Sequence, residues 1–541
     1  VLDAAVEIVD LLGASIGVKI LATSRARLGL RAEHEYSVPP LPMPNPRRLP
    51  PFAELAAIDA VALFVKRAIA ARHDFALTEA NAGPIAEICE RLDGLPLAIE
   101  LAAARVKLLP PKAILARLGS RLTLLTGGAR DLPARQRTLR ATIAWSHDLL
   151  SSDDQALFRR LAIFAGGFSL EAAEAVVLAG GDLDLDILDG VAALVDQSLL
   201  RLADGPDGES RFTMLESLRE FGLERLEEAR DGPATRRTHA EWFLTLAEVA
   251  QPHLTGPEQG AWLERLETEH DNLRAALAAP DDEGERRLRL AAALWPFWDM
   301  RGHFSQGRVA LARALAGNAA GATVARAHAL NGFGVLTYLQ GDLARAVTIY
   351  EESLAIRREL GDQHSIAASL NNLGVVAEDQ GRYDRAVTLY EESLAILREL
   401  GDQRFIAVSL NNLGRVAHEQ GDDARAVGLQ EESLVILREL GDKNGFIVCL
   451  EDVAGLAASL ARTAPAARLL GAAAALREEL GVPATPVEHA RNERALAEVR
   501  AERGEMATTK LLVSGRSLSI EQAIAEAHAV LREVATTLDT A

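Results

Sequence analysis

Thr23, Ser24 and Arg25 close the run Val18-Lys19-Ile20-Leu21-Ala22, three polar side chains at the end of a short apolar segment. At the C-terminal end of a strand in an open α/β sheet, such side chains face the crevice where ligands bind. An arginine placed there can reach the γ-phosphate of ATP and report its loss on hydrolysis; the alternative is a strand end whose arginine is merely solvated. A second set is a column of amides, in which Asn331, Asn371 and Asn411 recur at a spacing of 40 with Glu451 at the fourth position. An asparagine amide gives and takes hydrogen bonds, which suits either an extended peptide backbone or a ladder between repeated units. Glu269, His270 and Asp271 are metal-ligand types, but adjacent residues of a helix point in different directions, so they read as solvated or paired surface residues. No nucleophile–base pair or metal cluster stands out, and no catalysis by this chain is expected.

The elements that must hold these residues are mainly helical. The chain has 541 residues, too many for one core, and three to five domains are expected. Half of it is apolar, only 4% is aromatic, and Ala and Leu dominate, which favours helix over sheet. A net charge of −19 argues against a broad nucleic-acid footprint, which needs a basic face. Cys89 and Cys449 cannot build a disulfide framework, so a reducing, cytoplasmic setting fits. No apolar run of about 18 residues predicts a membrane span, and no signal peptide is visible. The chain opens on Val1 in a helical pattern, so a fragment of a longer protein is expected.

Residues 321–480 divide into four blocks of 40 without insertion. Block two reads GDQHSIAASLNNLGVVAEDQGRYDRAVTLYEESLAILREL. Leu370, Leu373, Gly374 and Ala377 share one helical face, Gly381 and Asp384 mark a turn, and Ala386, Tyr390 and Ser393 line the next helix. Small residues at Gly374 and Ala386 permit close approach, and Tyr390 and Leu394 fill the space between stacked pairs. This resembles the tetratricopeptide repeat in its longer form, known from kinesin light chains and bacterial regulators. The resemblance implies an α-solenoid whose concave groove is lined by Asn331, Asn371 and Asn411, with His328, Tyr338, Arg415 and His418 varying between blocks. Residues 481–541, broken at GVPATP and with an N-cap predicted at Ser519, read as the terminal cap a solenoid needs.

At the front, a helix is predicted over residues 1–12 and a buried strand at VKILA. A proline-rich connector, SVPPLPMPNPRRLPP, leads to a helical pattern and then to Gly94-Leu95-Pro96-Leu97-Ala98. Pro96 would start a helix with its ring presented as a flat apolar face suited to an adenine. Amphipathic helices follow, and DQSLLRLADGPDGESRFTMLESLREFGLERL predicts strand, turn, strand and helix, the closing hairpin of a winged helix. Its acidic residues Asp148, Asp153, Asp154, Glu171 and Glu174 argue against a phosphate-facing surface. LATSR, VPPLP, GLPLAIELAA, TLRATIAWSHDLL and LFRRLAIFAGGF together resemble the signal-transduction ATPases with numerous domains (STAND), an NB-ARC-like class that includes LuxR-type and antibiotic-regulatory activators. The resemblance implies an ATP-dependent switch in which Arg25, beside Thr23 and Ser24, senses the γ-phosphate and Pro96 packs on the adenine.

Three departures qualify it. The phosphate-binding loop is absent, since GASIGVK from Gly13 to Lys19 has the wrong spacing and no hydroxyl after the lysine. The acidic strand that helps hold Mg²⁺ is absent too, and the site where relatives carry Met-His-Asp reads Met214-Leu215-Glu216. ATP or ADP with Mg²⁺ is therefore implied for a parent protein, while none is expected to bind this fragment tightly.

The expected fold is mainly α. Its parts are a remnant of an α/β nucleotide-binding domain (1–50), a helical lid (51–130) and a winged helix (131–230). A helical arm (231–320), four tetratricopeptide repeats (321–480) and a helical cap (481–541) complete it. Trp242, Trp262, Trp295 and Trp298 in the arm are expected in its core. Expected partners are a peptide, protein or small inducer in the repeat groove, with self-association on activation. DNA would be reached only through a domain not present here, and no membrane is expected. The competing expectation is an interaction scaffold with a vestigial nucleotide half.

Overall fold

Helix-favouring composition produces helices nearly throughout, gathered in two compact units, Val1–Asp282 and Glu283–Ala541. The computed structural model describes residues 5–539 except 16, 22–29, 31–32, 35, 37, 47, 119–138, 182, 184, 255, 257, 282–283, 318–320, 481 and 483.

The first unit starts with α1 (Ala5–Ala14). Residues 18–21, predicted as a buried strand, are irregular and exposed, Leu21 at 96%. A strand needs a ladder partner on at least one side, and among the described residues none runs beside this segment. Thr23, Ser24 and Arg25 lie outside the described residues. The helical region comprises α2 (Phe52–Ala57), α3 (Asp59–Ala71), α4 (Glu79–Arg91), α5 (Pro96–Ala104) and α6 (Pro111–Arg117), closed over Phe64, Ile85, Ile88 and Ile99. Thr78 and Asn81 cap α4 reciprocally. Between α4 and α5 the chain turns through Asp93 and Gly94, both at positive φ. Gly94 can carry no side chain: a Cβ would meet the Leu41 carbonyl, because the proline-rich connector lies on this turn and the Leu41 amide donates to the Gly94 carbonyl (3.1 Å).

The winged helix is built from α7 (Leu139–His147), α8 (Ser152–Leu161), β1 (Phe168–Ser169), α9 (Leu170–Val177), α10 (Ile187–Asp196), β2 (Arg201–Asp204), β3 (Ser210–Thr213) and α11 (Glu216–Glu228). The expected strand, turn, strand and helix are all present. The sheet has the order β1-β3-β2, all antiparallel, and its two-residue first strand was too short to predict. Ser151, Ser169 and Asp186 accept the first free amides of α8, α9 and α10. Helices α12 (Gly232–Ala250), α13 (Gln259–Thr268) and α14 (His270–Ala278) finish the unit.

The second unit begins with α15 (Glu285–Met300) and α16 (Phe304–Gly317). Trp298 is fully buried, and Trp295 packs where Gly332 leaves room for it. Eight helices then alternate: α17 (Val324–Leu339), α18 (Leu343–Leu360), α19 (Gln363–Asp379), α20 (Tyr383–Leu400), α21 (Gln403–Glu419), α22 (Asp423–Leu440), α23 (Lys443–Ser459) and α24 (Thr463–Leu480). Two devices recur at the 40-residue spacing. Ser353, Ser393 and Ser433 are buried and donate to the carbonyls of Ala327, Ala367 and Ala407 at 2.8–2.9 Å. Tyr350 and Tyr390 lie over Gly334 and Gly374, where a Cβ would stand 2.5 Å from the ring. The fourth repeat loses both, carrying Ala473 and Leu470 in those columns. Helices α25 (Pro486–Arg503), α26 (Glu505–Arg516) and α27 (Ile520–Asp539) cap the array around Ala495, Val499, Ala527 and Leu531.

No described helix is long and apolar enough to cross a membrane. Cys89 and Cys449 are buried free thiols, each pushed up to about 12 by burial.

Candidate functional site

The amide column forms a ladder. Asn372 Nδ2 donates to Asn331 Oδ1 (3.1 Å), Asn412 Nδ2 to Asn371 Oδ1 (2.9 Å), and Asn411 Nδ2 to Asp452 Oδ2 (2.5 Å). The second asparagine of each Asn-Asn pair, which sequence reasoning passed over, donates the first two rungs. Tyr338 donates its hydroxyl to Asp379 (2.7 Å). His328 is held below its ordinary value by burial and by the nearby Arg357.

Arg415 occupies a position that is valine in the first two repeats, Val335 and Val375. Its guanidinium reaches Glu378 of the preceding repeat (2.5 and 2.8 Å), Asp452 of the following repeat (3.0 Å) and Asn412 Oδ1 (3.0 Å). Burial works to raise the Glu378 carboxyl, but Arg415 outweighs it and holds the group below its usual range. A buried arginine thereby links three repeats, with both neighbouring charges answered. His418 bonds Asp423 through Nδ1 (2.6 Å) and Ser459 through Nε2 (3.1 Å).

Arg415 and His418 also wall a cavity of about 230 Å³, bounded by α21, α22, α23 and the cap helix α25. Gln430 of α22 stands here in the column of Tyr350 and Tyr390, so the ring that fills this space in repeats one and two is missing. Gln430 is 1% exposed and its Oε1 has no partner among the described residues. Asn411 Oδ1, beside the wall residue Asp452, is another buried acceptor without one. From α25, Arg491 lies 3.8 Å from Asp452, Arg494 lies 3.9 Å from Glu419, and Glu488 meets Arg477 (3.2 Å), which also grips Glu451 (2.8 Å). The structure thus brings Arg415 and His418 to one site with Asn411 at its edge, while Asn331, Asn371 and Tyr338 do not line it. Gln430, Asp452 and the α25 residues were missed. The break in the tyrosine column was the available signal.

A second candidate lies in the first unit. Pro96 is the first residue of α5 with its ring exposed, as the Gly-x-Pro spacing implied. One turn earlier, Asp93 accepts the Glu216 amide (3.1 Å) at the head of α11, within the Met214-Leu215-Glu216 segment. A cavity of about 510 Å³ is bounded by Arg91, Asp93, Phe164, Met214, Arg219 and Asp271. Glu269, expected at the surface, is instead buried in a two-pronged pair with Arg211 of β3. Trp262 is half-buried, stacked on His253 at 5.2 Å with Arg265 over its ring.

Comparison with known proteins supports both architectures. Tetratricopeptide-repeat profiles match residues 325–399 and 406–441, and a winged helix-turn-helix domain profile matches residues 150–227. A Mycobacterium tuberculosis protein named as an HTH-type transcriptional regulator is 39% identical over 366 residues, which is 66% of this chain and 40% of that one. An uncharacterized protein of the same organism is 41% identical over 235 residues, 43% of this chain and 56% of its own length. Among solved structures, a STAND protein with a tetratricopeptide-repeat sensor from Pyrococcus horikoshii aligns at TM-score 0.41 and 13% identity, covering 92% of this chain and 72% of that one. The chain therefore spans only 40% and 56% of the length of these curated relatives.

Proposed function

We propose that this chain is the lid, winged-helix and sensor portion of an ATP-dependent regulatory switch of the STAND class, acting in transcription. The repeats hold a peptide, protein or small inducer and bias a closed, ADP-like state against an open, ATP-bound one. The observation that carries this reading is the hydrogen bond from the Glu216 amide to Asp93. It ties the turn that presents Pro96 to the head of the last winged-helix helix, so a shift at either is felt by the other. The winged helix is read as an internal lever and not as a DNA reader. The helix before its wing, α10, carries Asp189 and Asp196 behind the Asp186 cap and has no Lys or Arg. DNA contact is assigned to an output domain, in keeping with the regulator name carried by the mycobacterial relative.

Residues 18–21 are irregular and Pro96 is exposed, and on this reading ATP is not expected to bind this chain tightly on its own. In a longer parent, Thr23, Ser24 and Arg25 would face the terminal phosphate and Pro96 the adenine, with Mg²⁺ held by residues upstream. The test expresses the gene product with the coding sequence upstream of Val1 and measures nucleotide binding by calorimetry. The expected result is that Arg25→Ala weakens ATP about tenfold or more and leaves ADP nearly unchanged. If that product binds no nucleotide, the second reading stands: a repeat scaffold with a vestigial nucleotide half, which the irregular 18–21 segment favours.

A further inference from the structure

We infer that the cavity beside Gln430 is a binding site for a small organic amine carrying a flat ring, and that such an amine is the inducer. The inducer role rests on the switch reading above, whereas the binding site stands on the repeat geometry alone. Three observations define the ligand. The first is shape. Repeats one and two close this space with the rings of Tyr350 and Tyr390, while repeat three offers an amide and about 230 Å³ of room. Sites for drug-sized ligands run to roughly 300–1,000 Å³, so this one suits a single ring with a short arm.

The second observation is hydrogen bonding. Gln430 Oε1 is a buried acceptor without a partner among the described residues, in a side chain that lines the cavity. Leaving such a group unsatisfied is costly, and a turn of the Gln430 side chain toward the cavity would let a ligand N–H or O–H recover that loss. Tyr390 shows the geometry in miniature, since its hydroxyl donates to Glu378 (3.0 Å) in the equivalent corner of repeat two.

The third is charge. Glu419, Glu451, Asp452, Glu488 and Glu498 line the cavity. The guanidiniums that face them are already engaged: Arg415 on Glu378 and Asp452, Arg491 on Asp452, and Arg494 on Glu419. Five carboxylates line the cavity against three guanidiniums, and Glu498, at its exposed rim, has no cationic partner among the described residues, so the site favours an ammonium group and disfavours a carboxylate.

The experiment uses the full chain and calorimetric titration with tyramine, a phenol ring on a two-carbon amine. 3-(4-Hydroxyphenyl)propionate serves as the acidic counterpart with the same ring. Saturable tyramine binding is expected with Kd below about 1 mM, and the acid should bind at least tenfold more weakly. Gln430→Tyr, which restores the ring of the other repeats, should abolish tyramine binding. Gln430→Leu, the residue of repeat four, should do the same by removing the acceptor, so the test does not depend on the larger side chain fitting. Glu498→Gln should weaken tyramine about three- to tenfold with the melting temperature unchanged. No saturable binding up to about 10 mM, equal binding of the acid, or unaltered binding in both Gln430 variants overturns the proposal. No nucleotide enters this measurement, so its failure leaves the switch reading intact. Loss of nucleotide binding in the longer parent would likewise leave a bound amine standing as a site.

Discussion

Two buried arginines, Arg211 in the winged-helix unit and Arg415 in the repeats, have the same side-chain exposure of 10% and carry opposite lessons. Arg211 grips Glu269 with two prongs and donates to the Gly167 carbonyl (3.1 Å). Asn272 completes the network by donating to Glu269 (2.7 Å) and Gly167 (2.8 Å) and accepting from the Ala165 amide (2.7 Å). Every polar group in this cluster meets another protein group, which makes it a staple between the wing strand and α14. Arg415 is as fully answered by Glu378, Asp452 and Asn412, yet it borders a cavity with an orphaned glutamine acceptor. Burial and charge pairing alone do not separate a structural clamp from the wall of a site. The unsatisfied neighbour does.

The largest effect should come from breaking the fully paired network. Arg211→Met strands Glu269 inside the unit and is expected to cost about 3–5 kcal/mol in urea unfolding. Arg415→Val, which imposes the residue of repeats one and two, leaves Glu378 with the Tyr390 hydroxyl and Asp452 with Arg491 close by at a cavity that can admit water, so it should cost less, about 2–3 kcal/mol. If Arg415→Val is the costlier of the two, the contrast collapses.

Acid should probe the same contrast with a smaller effect. His239 lies against Asn272 (3.4 Å), Phe164 and Phe243, and burial pushes its imidazole down from 6.5 to about 4. Between those values the unfolded chain binds the extra proton and the folded chain does not. The first unit therefore loses stability as pH falls from 6.5 towards 4, by about 3 kcal/mol in all. In the repeats, Glu378 is depressed from 4.5, so its contribution is fully present above that value and fades only below it. Urea midpoints measured across this range should fall more steeply for the wild type than for His239→Gln. Parallel slopes would mean that the imidazole is not sealed.

The two networks also differ in how far the sequence foretold them. The solenoid was legible because a strict 40-residue period repeats both its glycine turns and its apolar faces, and the winged-helix hairpin because Gly205, Pro206 and Gly208 punctuate two short β-prone runs. Residues 18–21 were misread: apolar, β-branched residues announce a strand only when a neighbouring strand exists to pair with them. Glu269 could not be placed from sequence, since its partner Arg211 stands 58 residues away on a different element. Gln430 could have been found, because one departure in a tyrosine column is visible wherever a repeat is. What made it meaningful was the volume behind it, which only the packed helices define.

The smallest effect tests whether stiffening a wall of the cavity changes the site. The turns inside repeats one to three pass through Gly341, Gly381 and Gly421 at φ of 82°, 69° and 79°, but repeat four uses Ala461 at 59°. This turn joins α23, which lines the cavity, to α24. A left-handed conformation costs an alanine roughly 1–2 kcal/mol. Ala461 is exposed, so its methyl repays little of this through packing. Ala461→Gly removes the strain but gives back about 0.5–1 kcal/mol in unfolded-chain entropy, leaving a net gain near 0.5 kcal/mol. In a unit of this size that raises the melting temperature by roughly 1–2 °C. Tyramine affinity should stay the same, because the substitution touches neither Gln430 nor a lining carboxylate. A change in affinity at constant stability would place the turn itself among the determinants of the site, and the line between clamp and binding wall would have to be redrawn through α23.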